Sequence, residues 1–325
     1  MNVVVWLCLI WVALLPAQAH SSLKLERFSI AGTDYIRLED WAHANNLEAK
    51  WVVPKQELRL ALGASSLALT VDSARMSLNG IHVWLSTPVT LRTGSACVAS
   101  VDLLTSIQPL FFPARSSGKV IRRIVLDPGH GGKDPGNQEG KQQEKKYTLL
   151  LAKDVSELLN KAGFKASLTR SSDSFVELPS RAEIARRRGA DLFISLHFNS
   201  AEGPGGSGVK GVEIYCLTPA HTSSTNARGE GAATGSYPGN RFDSKNILLG
   251  YQLQKAILKN VATEDRGLRR ARFAVLRSAE MPAVLIEGGF MTHPTEAKKI
   301  YEPAYRRQMA QAIVDGIKAY KNLAE

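Results

Sequence analysis

The stretch Arg122-Arg123-Ile124-Val125-Leu126-Asp127-Pro128-Gly129-His130-Gly131-Gly132 constrains this chain more than any other. A short apolar run stops abruptly at Asp-Pro-Gly-His-Gly-Gly. That predicts a buried strand emptying into a tight loop that glycine permits, with His130 at its tip. In α/β sheets the carboxyl edge of the strands is where chemistry is placed. Taken alone, a His in a Gly-rich turn is more often a solvated loop residue than a ligand. The residues downstream change that balance.

Beyond residue 120 strand and helix patterns alternate, which predicts an α/β domain over 121–325 with a central, mainly parallel sheet flanked by helices. Strands are expected at 121–126, 165–169, 191–197, 212–217, 273–276 and 282–287, and helices at 144–162, 179–188, 246–261 and 303–323. Leu151, Val155, Leu158, Leu159 and Ala162 fall on one face of the first helix, and Gly163 stops it. Between Thr218 and Lys245 the chain is polar and glycine-rich without periodicity. A loop this long predicts a mobile rim over a site, and it lacks the apolar period of an inhibitory helix.

Residues 23–112 have a different character, expected to form a small strand-rich α+β accessory domain. Short strand-like segments at 35–38, 50–53, 58–62 and 67–71 are separated by turn residues, and a helix is expected at 39–46. Asn79-Gly80 predicts a hairpin into Ile81-His82-Val83-Trp84-Leu85. This segment, with its Asn-Gly-x-x-Val-x-Leu-x-x-Pro stretch ending at Pro88, resembles the copper amine oxidase N-terminal-like domain found ahead of exported enzymes. The resemblance implies neither copper nor catalysis, only a binding or spacer module. Residues 113–120 are polar and rich in turn formers, and read as a linker.

The first 19 residues are uncharged and apolar and end in Ala17-Gln18-Ala19, which fits a secretory signal peptide cleaved before His20. The run is shorter than the roughly 20 apolar residues of a comfortable membrane span, so no stable span is expected after cleavage. The mature chain is then exported, periplasmic or extracellular. A net charge of +11 and a pI near 9.6 favour an anionic partner. No RNP, zinc-finger or helix-turn-helix pattern accompanies the charge, so nucleic acid is not expected. Cys97 and Cys216 make neither a disulfide scaffold nor a Cys-x-x-Cys zinc site. Gly203-Pro204-Gly205-Gly206-Ser207-Gly208 satisfies Gly-x-Gly-x-x-Gly, but a strand rather than a helix is expected after it, which argues against dinucleotide binding. Neither a Gly-x-Ser-x-Gly elbow nor a His-Glu-x-x-His helix occurs.

Four polar residues converge on the expected sheet edge. His130 follows the first strand and Glu144 opens the first helix. His197 and Glu287 close the apolar runs 192–196 and 283–286. Two imidazoles and one carboxylate are a recurrent set for a catalytic zinc with an open position. Zinc so held lowers the pKa of bound water from about 15.7 to about 7. A second carboxylate can take the water's proton and pass it to the leaving nitrogen. Spacing does not say which Glu has which role. Glu144 could simply be a helix-start carboxylate favoured by the macrodipole. Glu287 ends a buried run, where a carboxylate is costly unless paired or used.

Here a second resemblance appears. Leu126 to Gly132, Glu144, Ser195-Leu196-His197-Phe198-Asn199-Ser200, Lys210-Gly211-Val212-Glu213, Arg266-Gly267-Leu268 and Met281 to Phe290 are similar to the motifs of the zinc-dependent N-acetylmuramoyl-L-alanine amidases of the exported bacterial type. The resemblance implies His130, Glu144 and His197 as zinc ligands and Glu287 as catalytic acid/base. It implies hydrolysis, by zinc-activated water, of the amide between N-acetylmuramic acid and the L-alanine of the peptidoglycan stem. Arg170, Asp173 and Arg181 also fit the family pattern and read as structural or rim residues. Thr292-His293-Pro294 departs from the family's Ser-Asn, and Ala185-Arg186-Arg187-Arg188-Gly189 from its Ala-Asn run. A zinc peptidase cutting within the stem, and a wall-binding protein that no longer cuts, are the rivals. A protein activator is left open.

Overall fold

Turn chemistry organises the first hundred residues. In the computed structural model, which describes residues 25–115, 118, 120–225 and 235–325, strands are short and joined by residues at positive φ. They are β1 (Arg27–Ile30), β2 (Thr33–Arg37), β3 (Glu48–Val53), β4 (Glu57–Leu62), β5 (Ser65–Thr70), β6 (Arg75–Leu78), β7 (Ile81–Trp84), β8 (Thr90–Arg92) and β9 (Ser95–Ala99). Asn79 (φ +50°) and Gly80 (φ +83°) form the hairpin between β6 and β7, with both central residues in the left-handed region that such a turn demands. Asn79 Oδ1 also accepts from Ser66 N at 2.8 Å. Helix α1 (Leu38–Ala44) buries Leu38, Trp41 and Ala42. Beyond β9 come α2 (Ser100–Asp102), a π-helical turn (Leu103–Ile107) and α3 (Gln108–Phe111).

From residue 123 the strands are β10 (Arg123–Pro128), the small hairpin β11 (Gln138–Glu139) and β12 (Gln142–Gln143), β13 (Lys165–Leu168), β14 (Leu192–Asn199), β15 (Val212–Leu217), β16 (Asp265–Ala271) and β17 (Ala283–Phe290). The helices are α4 (Glu144–Lys161), α5 (Leu178–Arg187), α6 (Asp243–Asn260), α7 (Ala274–Arg277), α8 (Pro294–Tyr301) and α9 (Pro303–Ala324). Strands β13, β10, β14 and β17 lie side by side in parallel. β15 pairs antiparallel with β17, and β16 runs parallel to β15. The sheet is therefore mixed, with a parallel majority in this half. The expected strand at 273–276 is instead α7, a helical turn with Phe273 at its N-cap, while β16 supplies the strand. The signal-peptide expectation over residues 1–19 and the middle of the polar loop, 226–234, lie outside the described residues, as do 116, 117 and 119 of the expected linker.

The two-residue period of the strands sorts their side chains onto two faces. Ile124, Leu126, Ile194, Leu196, Ile214, Val284 and Ile286 pack into one core with Leu151, Val155, Ile247, Leu253, Ile313 and Ile317 from α4, α6 and α9. Val125, Phe193, Tyr215, Leu217 and Leu285 face the opposite way, under Ala182 and Ala185 of α5 and Val275 and Leu276 of α7. Those two short helices cover only part of their face. Farther along it, at the same odd positions, lie Asp127, Ser195, His197, Glu213 and Glu287. The alternation that builds the second core thus hands polar residues to its uncovered end.

The two halves of the chain share one sheet. β7 pairs parallel to β16 through Val83 and Leu268, extending the sheet across β7, β6, β5, β4 and β3 to eleven strands. β1, β2, β9 and β8 form a separate four-stranded sheet. His82 N donates to Asp265 Oδ2 at 2.8 Å, and Trp84 Nε1 to the Arg266 carbonyl at 3.1 Å. Buried Arg270 reaches from β16 to Ser106 Oγ at 2.8 Å and the Thr105 carbonyl at 3.0 Å. Val83, Leu78 and Leu85 belong to the same apolar core as α6 and α9.

Candidate active site

The loop after β10 has its shape forced by what surrounds it. A Cβ on Gly129 would fall inside the His197 ring. On Gly136 (φ +65°) it would lie 2.6 Å from both Glu144 Oε2 and His130 Cδ2. His130 itself has φ +60°, a strained conformation for a residue with a side chain. Two buried arginines hold it there. Arg181 donates to the carbonyls of Pro128 and His130, each at 2.9 Å. Arg170 donates to Pro128 O at 3.0 Å and Gly129 O at 2.7 Å. Arg181 is anchored in turn by Asp127 at 2.9 Å, a fully buried carboxylate that also accepts from Thr169 Oγ1 and Ser195 Oγ. Asp173 caps Gly132 N and pairs with Lys145. The arginines expected to be structural or rim residues are the scaffold of the loop.

His130, Glu144 and His197 present one donor atom each, all within 4.8 Å of one another. Glu144 lies between the rings, with Oε2 3.0 Å from His130 Nε2 and Oε1 3.0 Å from His197 Nδ1. Backbone N–H groups of Asn137 and Phe198 hold its two oxygens. Asp134 Oδ2 stands 2.9 Å from His130 Nδ1; a proton shared there leaves the Nε2 lone pair facing Glu144. A ring lone pair aimed at a carboxylate is stable only with a cation between or beside them. Burial pushes Glu144 up, but the two imidazoles more than offset it and hold the carboxyl well below the usual range. The donor set, two nitrogens and one oxygen, fits zinc.

Glu287 sits on β17 directly beside His197 of β14 and across from Glu213 of β15. Its Oε2 is buried and has no hydrogen-bond partner among the described residues. Burial first, then the charges of Glu144 and Glu213, pushes this carboxyl well above the ordinary carboxylate range. A carboxyl so placed favours its protonated form more than an ordinary carboxylate does. Glu287 lines two neighbouring cavities. One, of about 270 Å³, is lined by His130, Glu144, His197, Leu178 and Val275. The other, of about 780 Å³, is lined by Asn199, Glu213, Tyr215, Arg266, Arg269 and Phe290. Asn199, Ser200 and Phe273 border both. Glu213, Arg266 and their motifs were visible in the sequence without a role; Tyr215, Arg269 and Phe273 carried no signal, because nothing local marks a residue that lines a cleft from a neighbouring strand.

A helix-flanked mixed sheet with a two-His, one-Glu donor cluster and a carboxyl without a hydrogen-bond partner at one edge defines an α/β protein with a metal-compatible centre. Residues 124–319 match the family model Amidase_3, N-acetylmuramoyl-L-alanine amidase, and the chain belongs to that family. The N-acetylmuramoyl-L-alanine amidase AmiA of Escherichia coli is 34% identical over 257 residues, covering 71% of this chain and 87% of that protein. The probable cell wall amidase LytH of Staphylococcus epidermidis is 35% identical over 202 residues, covering 61% of this chain; the match spans only 58% of that protein's length. Among solved structures, the amidase AmiC2 of Nostoc punctiforme is 35% identical with a TM-score of 0.52, over 62% of this chain and 98% of that one. The catalytic domain of CwlV from Paenibacillus polymyxa is 29% identical with a TM-score of 0.52, over 62% and 99%. These matches bear out the α/β amidase fold expected from residues 121–325.

Proposed function

We propose that this chain hydrolyses the amide between N-acetylmuramic acid and the L-alanine of the peptidoglycan stem, with residues 121–325 as the catalytic domain. The observation that carries the proposal is the juxtaposition of a partnerless carboxyl, Glu287, with the His130–Glu144–His197 donor cluster beside two neighbouring cavities. His130, Glu144 and His197 would hold zinc, and zinc, when bound, supplies Lewis-acid polarisation of the amide carbonyl and acidification of water. Glu287 takes the proton of the attacking water and returns it to the departing alanine nitrogen, so one residue serves as base and then acid. Asp134 fixes the His130 tautomer, while Arg170 and Arg181 keep the loop from relaxing out of its strained form.

The remaining assignments are part of the same proposal. A leader over residues 1–19 would export the chain to the wall, where its relatives are named as cell wall amidases. Among the described residues no helix is long and apolar enough to cross a membrane. Residues 23–112 would form an accessory domain of the copper amine oxidase N-terminal-like kind, joined by 113–120. An activator protein would be a further partner; the amidase CwlD of Clostridioides difficile was solved in complex with the lipoprotein GerS. End-group analysis of digested wall tests the cleavage directly: amidase action exposes the amine of L-alanine, whereas cutting within the stem exposes other amines and leaves alanine blocked.

A further inference from the structure

The large cavity beside Glu287 is lined by two arginines, Arg266 and Arg269, that hydrolysis of the amide does not call for. Glu213, fully buried on β15, receives two guanidinium groups: Arg266 Nε and Arg269 Nε each lie 2.9 Å from its Oε2. Its other oxygen is taken by Asn199 Nδ2 at 2.7 Å and the Tyr215 hydroxyl at 2.9 Å. Two cations thus share one carboxylate, in a cavity that Glu202 and Glu287 also line. Arg266 donates to Glu213 through Nε, while Arg269 Nε stands beside the same oxygen as an ion pair without a hydrogen bond; the Nη groups of both make no hydrogen bond among the described residues, although both side chains line the cavity. A guanidinium tethered at Nε presents its remaining N–H groups as a fork, the geometry that carboxylates fit.

The N-terminal half of the chain holds this fork in place. The ring of Trp84, on β7, lies 4.8 Å from Arg269 Cζ, and its Nε1 donates to the Arg266 carbonyl. The arginines are thereby fixed from one side by Glu213 and from the other by the half of the chain outside the matched family region.

We propose that this cavity is a carboxylate subsite, in which Arg269 and Arg266 bind an acidic group of the stem peptide and Trp84 positions Arg269. The inference rests on the amidase reading and adds a direction to it. In the substrate, the carboxyl of muramic acid is itself consumed in the amide to be cut, so a free carboxylate near that bond belongs to the peptide. The peptide then lies over Arg266 and Arg269, and the sugar lies on the side of Leu178 and Val275. The first half of the chain is therefore part of substrate selection through Trp84.

The test uses the full chain and two soluble probes: a muramyl-L-alanyl peptide with a free carboxylate on the residue after alanine, and the same peptide as its carboxamide. The wild type should show a KM about tenfold or more lower for the acid, the size expected for one charged hydrogen-bonded pair. R269Q should raise KM for the acid by a similar factor with kcat nearly unchanged, and erase the preference. W84A should move the same way, W84F should stay nearer the wild type, and R269K should keep part of the preference. Should R269Q fail to fold, the W84A and W84F pair decides. Equal KM for both probes in the wild type, or an equal rise for both in R269Q and W84A, overturns the subsite while leaving the amidase intact. Release of peptide from neither probe overturns the amidase reading and the subsite with it.

Discussion

His197 and Glu287 are paired neighbours on the parallel strands β14 and β17, so a proposed zinc ligand and a proposed proton carrier are held by the sheet itself rather than by a loop. Each follows an apolar run whose burial fixes the register, since a slip of one residue would turn both away from the cleft. The rigid separation between the two functions follows from that pairing.

Glu287→Gln keeps the shape of the side chain and removes its ability to carry a proton. The expected outcome is a fall in kcat of about 10²–10⁴-fold, the range for a positioned acid/base, with the zinc content per chain unchanged. Steady-state kinetics beside metal analysis checks this. Normal turnover by the variant would show that the proton goes elsewhere.

Gly136→Ala forces a Cβ to within 2.6 Å of Glu144 Oε2 at a φ of +65°. Overpacking of this kind costs about 1–3 kcal/mol. Here it also displaces a proposed ligand, so weaker zinc binding should accompany the lower melting temperature. Calorimetric zinc titration of the folded variant is the measurement, and an unchanged isotherm would mean that Glu144 is not held where the cluster needs it.

Arg181→Ala leaves Asp127 buried with its two hydroxyl partners and no countercharge. Breaking a buried pair by removing one member destabilises by about 3–5 kcal/mol. Urea denaturation should show that loss, and the His130 loop should lose activity with it, because Arg181 also binds the His130 carbonyl. A loss below about 1 kcal/mol would show that the pair does not anchor the loop.

Asp243, buried at the start of α6, has its carboxyl pushed up to about 6 by burial, against the opposing effects of Arg270 and Asn240. A folded-state value above the unfolded 3.8 favours the neutral acid in the fold. Its contribution to stability is complete below the unfolded value and is lost as pH rises through about 6. At up to about 3 kcal/mol for two units, Asp243→Asn should stabilise the protein at pH near 7.5 and flatten the stability profile between about pH 4 and 7. The Asn240 bond is retained, since an amide oxygen still accepts it. Urea midpoints at the two ends of that range provide the check, and parallel profiles for variant and wild type would contradict it.

Much of the sheet was legible because β10, β14 and β17 are buried on both faces and read as continuous apolar runs that end in polar residues. The convergence of His130, Glu144, His197 and Glu287 followed from those ends. β16 was hidden because its sequence, Asp-Arg-Gly-Leu-Arg-Arg-Ala, carries three arginines whose charges are matched only in three dimensions, by Glu213 and by the segment near Ser106. Phe273-Ala274-Val275-Leu276 is apolar enough for a strand, yet it folds as a helical turn because its task is to cap the second core. The joining of the two halves at Trp84 and Arg266 spans 182 positions and leaves no local trace.

The central claim is tested most directly by mass spectrometry of purified peptidoglycan digested with the mature protein, with chelator and after zinc is restored. The account predicts intact stem peptides beginning with free L-alanine, absent under chelation and recovered with zinc. Fragments cut within the stem, or release that persists without metal, would contradict it.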